Sequence, residues 1–329
     1  MDLRLAHQEV AIHTAFTERF QVAHPLVLAP MAAVSGGKLA AAVSNAGGLG
    51  LVGGGYGDQE WLERELEAVT AGTDRPWGAG LITWSATPEV LRLVLSYRPA
   101  AVLLSFGDPA PHATTIKRSG AALMCQVQDV AGAREAAGAG ADVVVAQGTE
   151  AGGHGGRRST LPLVPAVADA VAPLPVLAAG GISDGRGLAA ALMLGASGAV
   201  MGTRFCATPE ALYPDWAKTR LAAETGDHTT RTRVFDAARG LDWPAAYTGR
   251  ALRNTFTETW DGRETELASD ASARRQFTRA QNDGDPDAAL VWAGEGIDLI
   301  TAIEPAAELV DRIIAETRDL LHRVTRLAG

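Results

Sequence analysis

Between residues 26 and 202 the chain repeats one pattern eight times: a short apolar run, then a segment with helical periodicity. The runs occupy 26–30, 49–53, 78–82, 101–105, 121–126, 142–146, 175–179 and 198–202. Each is rich in Val, Leu, Ile or Ala and is bounded by Gly, Pro or polar residues, the signature of short strands. The runs are continuous rather than alternating, as parallel strands covered on both faces should be. Helices are predicted between them at 37–45, 59–70, 88–97, 129–137, 163–171 and 185–194, with Asp129 and Asp184 as caps and Pro88 at a first helical position. Eight strands separated by helices predict closure into a (β/α)8 barrel rather than an open sheet.

The 329 residues exceed the roughly 250 of a typical barrel, and the surplus lies in one place. From 207 to 287 no strand-like run appears; Trp216, Trp243 and Trp260, scattered charges and helical patterning predict an inserted helical subdomain or lid. Its tryptophans either cover the site or form a subunit interface, so a homo-oligomer stays open. The barrel is then expected to comprise 1–206 and 288–329. Segment 305–327 is amphipathic, with an acidic start and a basic end (Arg318, His322, Arg323, Arg326) that suits the helix dipole. It is expected to follow the eighth strand and close the ring. No internal repeat or low-complexity linker is evident.

With 47% hydrophobic and 20% charged residues the composition is that of an ordinary globular protein. A net charge of −9 argues against nucleic acid or anionic membranes as main partners. No apolar run reaches the roughly 18 residues of a membrane span, and the first 25 residues lack a signal pattern, so a soluble, cytoplasmic protein is expected. Cys125 and Cys206 lie far apart in apolar stretches and read as buried reduced thiols.

Barrel active sites lie at the C-terminal strand ends, and a phosphate commonly sits in the loops after strands seven and eight. Those loops contain Gly180-Gly181 and Gly202-Thr203, where backbone N–H groups can approach a dianion closely. By contrast, the GxGxxG match at 48–53 contains a strand instead of following one, so Gly47 and Gly48 read as a helix terminator rather than a dinucleotide fingerprint.

After the sixth strand runs Gln147-Gly148-Thr149-Glu150-Ala151-Gly152-Gly153-His154-Gly155-Gly156. A histidine between two glycine pairs at the catalytic end of a barrel is a candidate acid or base near neutral pH. Gln147 is placed to direct its amide at a heteroaromatic ring. His7, His13, His24, His112, His228 and His322 lack such context, with His24 and His112 read as surface or turn residues. No metal-ligand, serine-nucleophile or P-loop motif occurs.

Three segments together resemble the nitronate monooxygenase family, formerly 2-nitropropane dioxygenases: LAPMAAVSGGKLAAAVSNAGGLGLVGGG (28–55), DVVVAQGTEAGGHGG (142–156) and VLAAGGISDGRGLAAALMLGASGAVMGTRF (176–205). The likeness returns weakly at WAGEGIDLI (292–300). It implies a barrel enzyme with non-covalent FMN, oxidising alkyl nitronates or nitroalkanes with O2 to a carbonyl compound and nitrite. Pro30, Met31 and Gln147 would lie along the flavin, Gly152, Gly180, Gly181, Gly202 and Thr203 would hold its phosphate, and His154 would be the base. Glu295 stands where the family often has glutamine, and a carboxylate near a flavin edge would disfavour reduced flavin. The same superfamily includes NAD(P)H-dependent quinone and enoyl-thioester reductases. Arg157 and Arg158 read as solvated loop charges, with a carrier phosphate as the alternative. A flavin-binding barrel without turnover is a third reading, against which His154 stands.

Overall fold

The computed structural model describes residues 12–327, with side chains through Val324. His7, the first eleven residues of the stretch read for a signal, and the Arg326 side chain lie outside the described residues. Eight parallel strands form the barrel: β1 Leu26–Leu28, β2 Gly50–Gly53, β3 Trp77–Ile82, β4 Ala101–Ser105, β5 Ala122–Val127, β6 Val143–Gln147, β8 Val176–Ala179 and β9 Ala199–Met201. Their order is β1-β9-β8-β6-β5-β4-β3-β2. A parallel bridge between Val27 and Leu49 joins the ends, the Leu28 N–H donating to the Leu49 carbonyl at 3.0 Å. The run at 49–53 is therefore β2 itself. The helix before it ends at Asn45, and Gly47 turns the chain with φ +91°.

The strands looked continuous because both of their faces are buried in apolar surroundings. Along β4, Ala101 and Leu103 point into the barrel while Val102 and Leu104 meet the outer helices. Along β6, Val143 and Val145 point in, and Val144 and Ala146 point out. The period of two that normally marks a strand is hidden when neither face is polar. Helix α1, Ala15–Phe20, inserts Phe16 and Phe20 into the inner cluster, their rings 5.0 Å apart. Its cap, Thr14, donates to the Ser197 carbonyl just ahead of β9, so α1 plugs the end of the barrel opposite the site. Burying the two rings contributes on the order of 1.5–3 kcal/mol each.

Outside the strands lie α2 Gly37–Asn45, α3 Gln59–Gly72, α4 Pro88–Ser96, α5 Ala110–Arg118, α6 Val130–Gly138, α7 Thr160–Val171 and α8 Gly185–Met193. Asp129 accepts from the Gly132 N–H, Asp184 from those of Arg186 and Gly187, and Pro88 follows the Thr87 cap, as the sequence predicted. After the short α9, Thr203–Cys206, the rhythm stops. The last helix, α15 Ala306–Leu327, packs against α8 and α2 and closes the ring of helices. Buried Arg204 pairs with Glu304, which also holds Arg312, tying the approach to α15 to the segment that follows the eighth barrel strand.

Residues 207–287 are helix-rich, with α10 Asp215–Ala223, α11 Val234–Arg239, α12 Thr255–Trp260, α13 Glu264–Ser269 and α14 Ala271–Asp283. The expectation that this stretch lacks strands is corrected: it contains β10 Thr229–Thr232 and β11 Thr248–Leu252. Both join β7, Gly153–Gly155, in an antiparallel sheet ordered β10-β11-β7. The histidine loop is thus the edge strand of a second sheet, with Gly249 facing His154. Val234, Phe235, Phe256, Leu267 and Phe277 form a separate apolar cluster in this region. Among the described residues no helix is long and apolar enough to cross a membrane.

Candidate active site

A cavity opens at the C-terminal ends of the barrel strands, and every residue proposed from sequence lines it. Pro30 and Met31 follow β1, Gln147 ends β6, and Gly152 and His154 come from the loop beyond it. Gly180 and Gly181 follow β8, while Gly202 and Thr203 follow β9.

On one side the wall is backbone. Gly180 and Gly181 have φ of +104° and +71°, and a Cβ at Gly180 would stand 3.0 Å from both the Gly148 oxygen and Thr160 Oγ1. Only glycine satisfies both constraints. Thr160 Oγ1 donates to the Gly180 carbonyl at 3.0 Å, fixing this turn to the start of α7. Across the cradle, Thr203 Oγ1 accepts from the Gly294 N–H at 3.0 Å, and a Cβ at Gly152 would stand 2.7 Å from that same hydroxyl. A concave wall of side-chain-free backbone suits an anion held by N–H groups. Arg204, next to Thr203, does not line the cavity and is paired with Glu304 instead.

Two residues behave differently from expectation. Gln147 spends its amide on the protein: Nε2 donates to the His154 carbonyl and Oε1 accepts from Gln128, each at 2.9 Å. Glu295 pairs with Arg250 at 2.8 Å, while its neighbours Gly294 and Gly296 line the cavity. Its charge is met by a guanidinium. Arg157 and Arg158 are exposed, as read from the sequence. Cys125 and Cys206 are buried free thiols, which burial pushes up to about 12.

His154 is 7% exposed and its Nε2 lies 2.9 and 3.0 Å from the two oxygens of Asp236, itself 2% exposed. Burial lowers the imidazole's pKa below its usual value of 6.5, and Asp236 only partly opposes that shift. The contact is therefore a hydrogen bond from a neutral ring rather than an ion pair at neutral pH. The ring stacks on Trp243 with centroids 3.5 Å apart and planes 5° from parallel. Trp243 donates its Nε1–H to the Tyr56 hydroxyl at 3.1 Å, and Trp84, Phe106 and Tyr247 meet it edge-on. Phe106 takes a left-handed φ of +66°, an uncommon conformation for an aromatic residue at a loop tip. Arg231 and Arg250 both donate to the Thr149 carbonyl, at 3.0 and 2.9 Å, clamping the loop ahead of His154.

Asp236, Tyr56, Trp292 and Arg239 were not read as site residues. Asp236 had one local signal: a lone carboxylate inside the apolar run Val234-Phe235-Asp236-Ala237-Ala238. For Trp243 the sequence leaves cover and subunit interface open, and the structure places it over the His154 ring. Of the three tryptophans singled out, it covers the site, whereas Trp216 packs on the barrel cluster and Trp260 on Phe256.

A closed parallel barrel with glycine-rich loops after its seventh and eighth strands, and a buried histidine–carboxylate pair at the same cavity, has the architecture of a barrel enzyme. The nitronate monooxygenase family model matches residues 13–89 and 85–316, and the chain belongs to that family of flavoprotein oxidoreductases. A nitronate monooxygenase of Neurospora crassa is 32% identical, with 92% of each chain covered. The (3aS,4S,5R,7aS)-5-hydroxy-7a-methyl-1-oxo-octahydro-1H-indene-4-carboxyl-CoA dehydrogenase of Rhodococcus jostii is also 32% identical, covering 97% of this chain and 98% of the relative. The structure of FabK from Thermotoga maritima superposes with a TM-score of 0.85 at 30% identity, over 96% of this chain and 99% of that one.

Proposed function

We propose that the protein oxidises alkyl nitronates, and nitroalkanes by way of their nitronates, to a carbonyl compound and nitrite, using FMN and O2. The buried His154–Asp236 pair at the edge of the glycine-walled cavity carries this reading. The cradle suits a phosphate-bearing cofactor: Gly152, Gly180, Gly181, Gly202 and Thr203 would hold the FMN phosphate, and Pro30, Met31 and Gln147 would border its ring. FMN would supply the redox step, taking electrons from the nitronate and passing them to O2.

A carboxylate can only accept, so the neutral ring carries its proton on Nε2, toward Asp236, and keeps the Nδ1 lone pair. Nδ1 then takes the α-proton of a nitroalkane. The imidazolium so formed is stabilised by Asp236, and its Nδ1–H can donate to a nitronate oxygen. Because burial disfavours the protonated ring, the base is ready at neutral pH. The stacked Trp243 fixes the ring plane, and the surrounding aromatic wall excludes water from it.

Oxygen uptake and nitrite release by the FMN-loaded protein, given propyl nitronate without NAD(P)H, test the proposal. Absence of uptake from a fully loaded sample would sink it. The barrel would then be read as an NAD(P)H-dependent FMN reductase of quinones or enoyl thioesters. The Rhodococcus carboxyl-CoA dehydrogenase, as similar to this chain as the Neurospora nitronate monooxygenase, favours only the thioester substrate of that second reading.

A further inference from the structure

A second, open cavity of about 740 Å³ adjoins the first, and Tyr213, Arg239 and Trp292 line both. Three guanidiniums border it, from Arg239, Arg274 and Arg275, and no carboxylate lines it. Among the described residues none of the three makes an ion pair, although the chain as a whole carries a net charge of −9. Arg239 and Arg275 are exposed and Arg274 is half-buried, so all three can reach a ligand in the open cavity.

Two of the three are also held in position. Half-buried Arg274 donates from Nε to the Ala238 carbonyl at 3.2 Å and lies across Gly240, where a Cβ would stand 2.4 Å from Nη2. One N–H is spent on the fold, and the remaining fork is left for a ligand. Arg239 lies over the Tyr56 ring, with its guanidinium carbon 5.4 Å from the centroid. Arginine forks of this kind recognise phosphate by paired, charge-assisted hydrogen bonds. The other walls are mixed: Leu212, Phe277, Leu290 and Trp292 supply apolar surface, two of them aromatic, and Thr278, Gln281 and Asn282 supply neutral polar groups. A lone carboxylate or phosphate would occupy little of such a volume. A flat heterocycle joined to two phosphates would use the aromatic walls and the guanidiniums together.

The two cavities also share a wall beside His154. The Trp292 ring, common to both, has its centroid 5.1 Å from that of His154. We infer that the second cavity binds the nucleoside diphosphate portion of a ligand whose reactive end enters the His154 cavity. The inference rests on reading the His154 cavity as the active site. Two kinds of ligand share this chemistry, a nicotinamide dinucleotide reductant and an acyl thioester of a nucleotide coenzyme.

The probe is ADP, titrated calorimetrically into the flavin-loaded protein, with adenosine as the control. ADP is expected to bind at least about tenfold more tightly than adenosine, and to weaken with added salt, because guanidinium–phosphate attraction at an open site is screened. The double substitution Arg274→Gln/Arg275→Gln should weaken ADP about tenfold or more while the flavin spectrum is retained. Equal binding of adenosine and ADP, or no ADP binding, overturns the inference on the unaltered protein alone, whatever the variant's fold. Competition by NADPH identifies the reductant as the source, and competition by coenzyme A identifies the thioester. If neither displaces ADP, the inference falls. Nitronate oxidation is assayed separately: ADP binding without it sinks only the nitronate reading, and oxidation without ADP binding sinks only the annex.

Discussion

Replacing Asp236 by Asn removes the carboxylate's charge at almost constant volume and tests whether it orients a base. In the native site Nε2 faces both oxygens at 2.9 and 3.0 Å, so either can accept the ring proton. An asparagine that turns its NH2 toward Nε2 forces the ring proton onto Nδ1, the atom that must accept the substrate's proton. A hydrogen bond to a charged group contributes about 1.5–3 kcal/mol. At about 1.4 kcal/mol per factor of ten, its loss should lower kcat/KM for a neutral nitroalkane about 10- to 150-fold. A preformed nitronate has already lost its proton and should suffer a smaller factor. The pH profile supplies an independent sign. Burial lowers the pKa of His154 and Asp236 raises it, so the wild-type acid limb lies below 6.5 and Asp236→Asn moves it lower still. Stopped-flow turnover of nitroethane and ethyl nitronate between pH 4.5 and 8 measures both effects. Equal losses on the two substrates with an unmoved acid limb would refute the base-orienting role and leave Asp236 as packing alone.

Trp243→Ala removes the ring stacked on His154 and should destabilise the fold by about 3–5 kcal/mol in a denaturant titration. By admitting water it should move the acid limb up toward 6.5, opposite to Asp236→Asn. Gly180→Ala places a Cβ at φ +104° beside the Gly148 carbonyl, costing about 1–3 kcal/mol; a lower Tm and faster FMN loss on dialysis are expected. His154→Gln should retain FMN but lose about 10²–10⁴-fold in nitroalkane turnover. The same variant tests linkage: a histidine depressed in the fold contributes stability above about 6.5 that is lost as pH falls through its lower folded value. Urea midpoints at pH 7.5 and 5 should therefore differ less in His154→Gln than in wild type.

The barrel was legible because its constraint is local. A strand buried on both faces must be apolar throughout, and eight such runs, punctuated by glycine and by caps such as Asp129 and Asp184, leave few other folds. The plug α1 was not legible, since six residues carrying two phenylalanines show no periodicity until the barrel they fill is known. Strands β10 and β11 escaped for a different reason. Thr229-Thr230-Arg231-Thr232 and Thr248-Gly249-Arg250 have no apolar run, and their extended form comes from pairing with each other and with β7.

The same distinction separates the parts of the site. His154 and the glycine loops lie at strand ends whose position follows from the barrel, so their sequence neighbourhood was enough to single them out. Asp236 lies 82 residues from His154, and nothing near either residue encodes that separation. What brings them together is the small sheet: β11 lies against β7 in register with His154, and α11 follows β10 closely enough to deliver Asp236 to Nε2. Arg231 and Arg250, on those two strands, hold the histidine loop by the Thr149 carbonyl, and Trp243 precedes β11 to cover the ring. A lid shields chemistry that exists without it. Here residues 207–287 provide the carboxylate bonded to His154, the ring's stacking partner and the strand that orders its loop. Removing the segment would take away the proposed acid–base machinery along with its cover, even if the glycine cradle on the barrel remained.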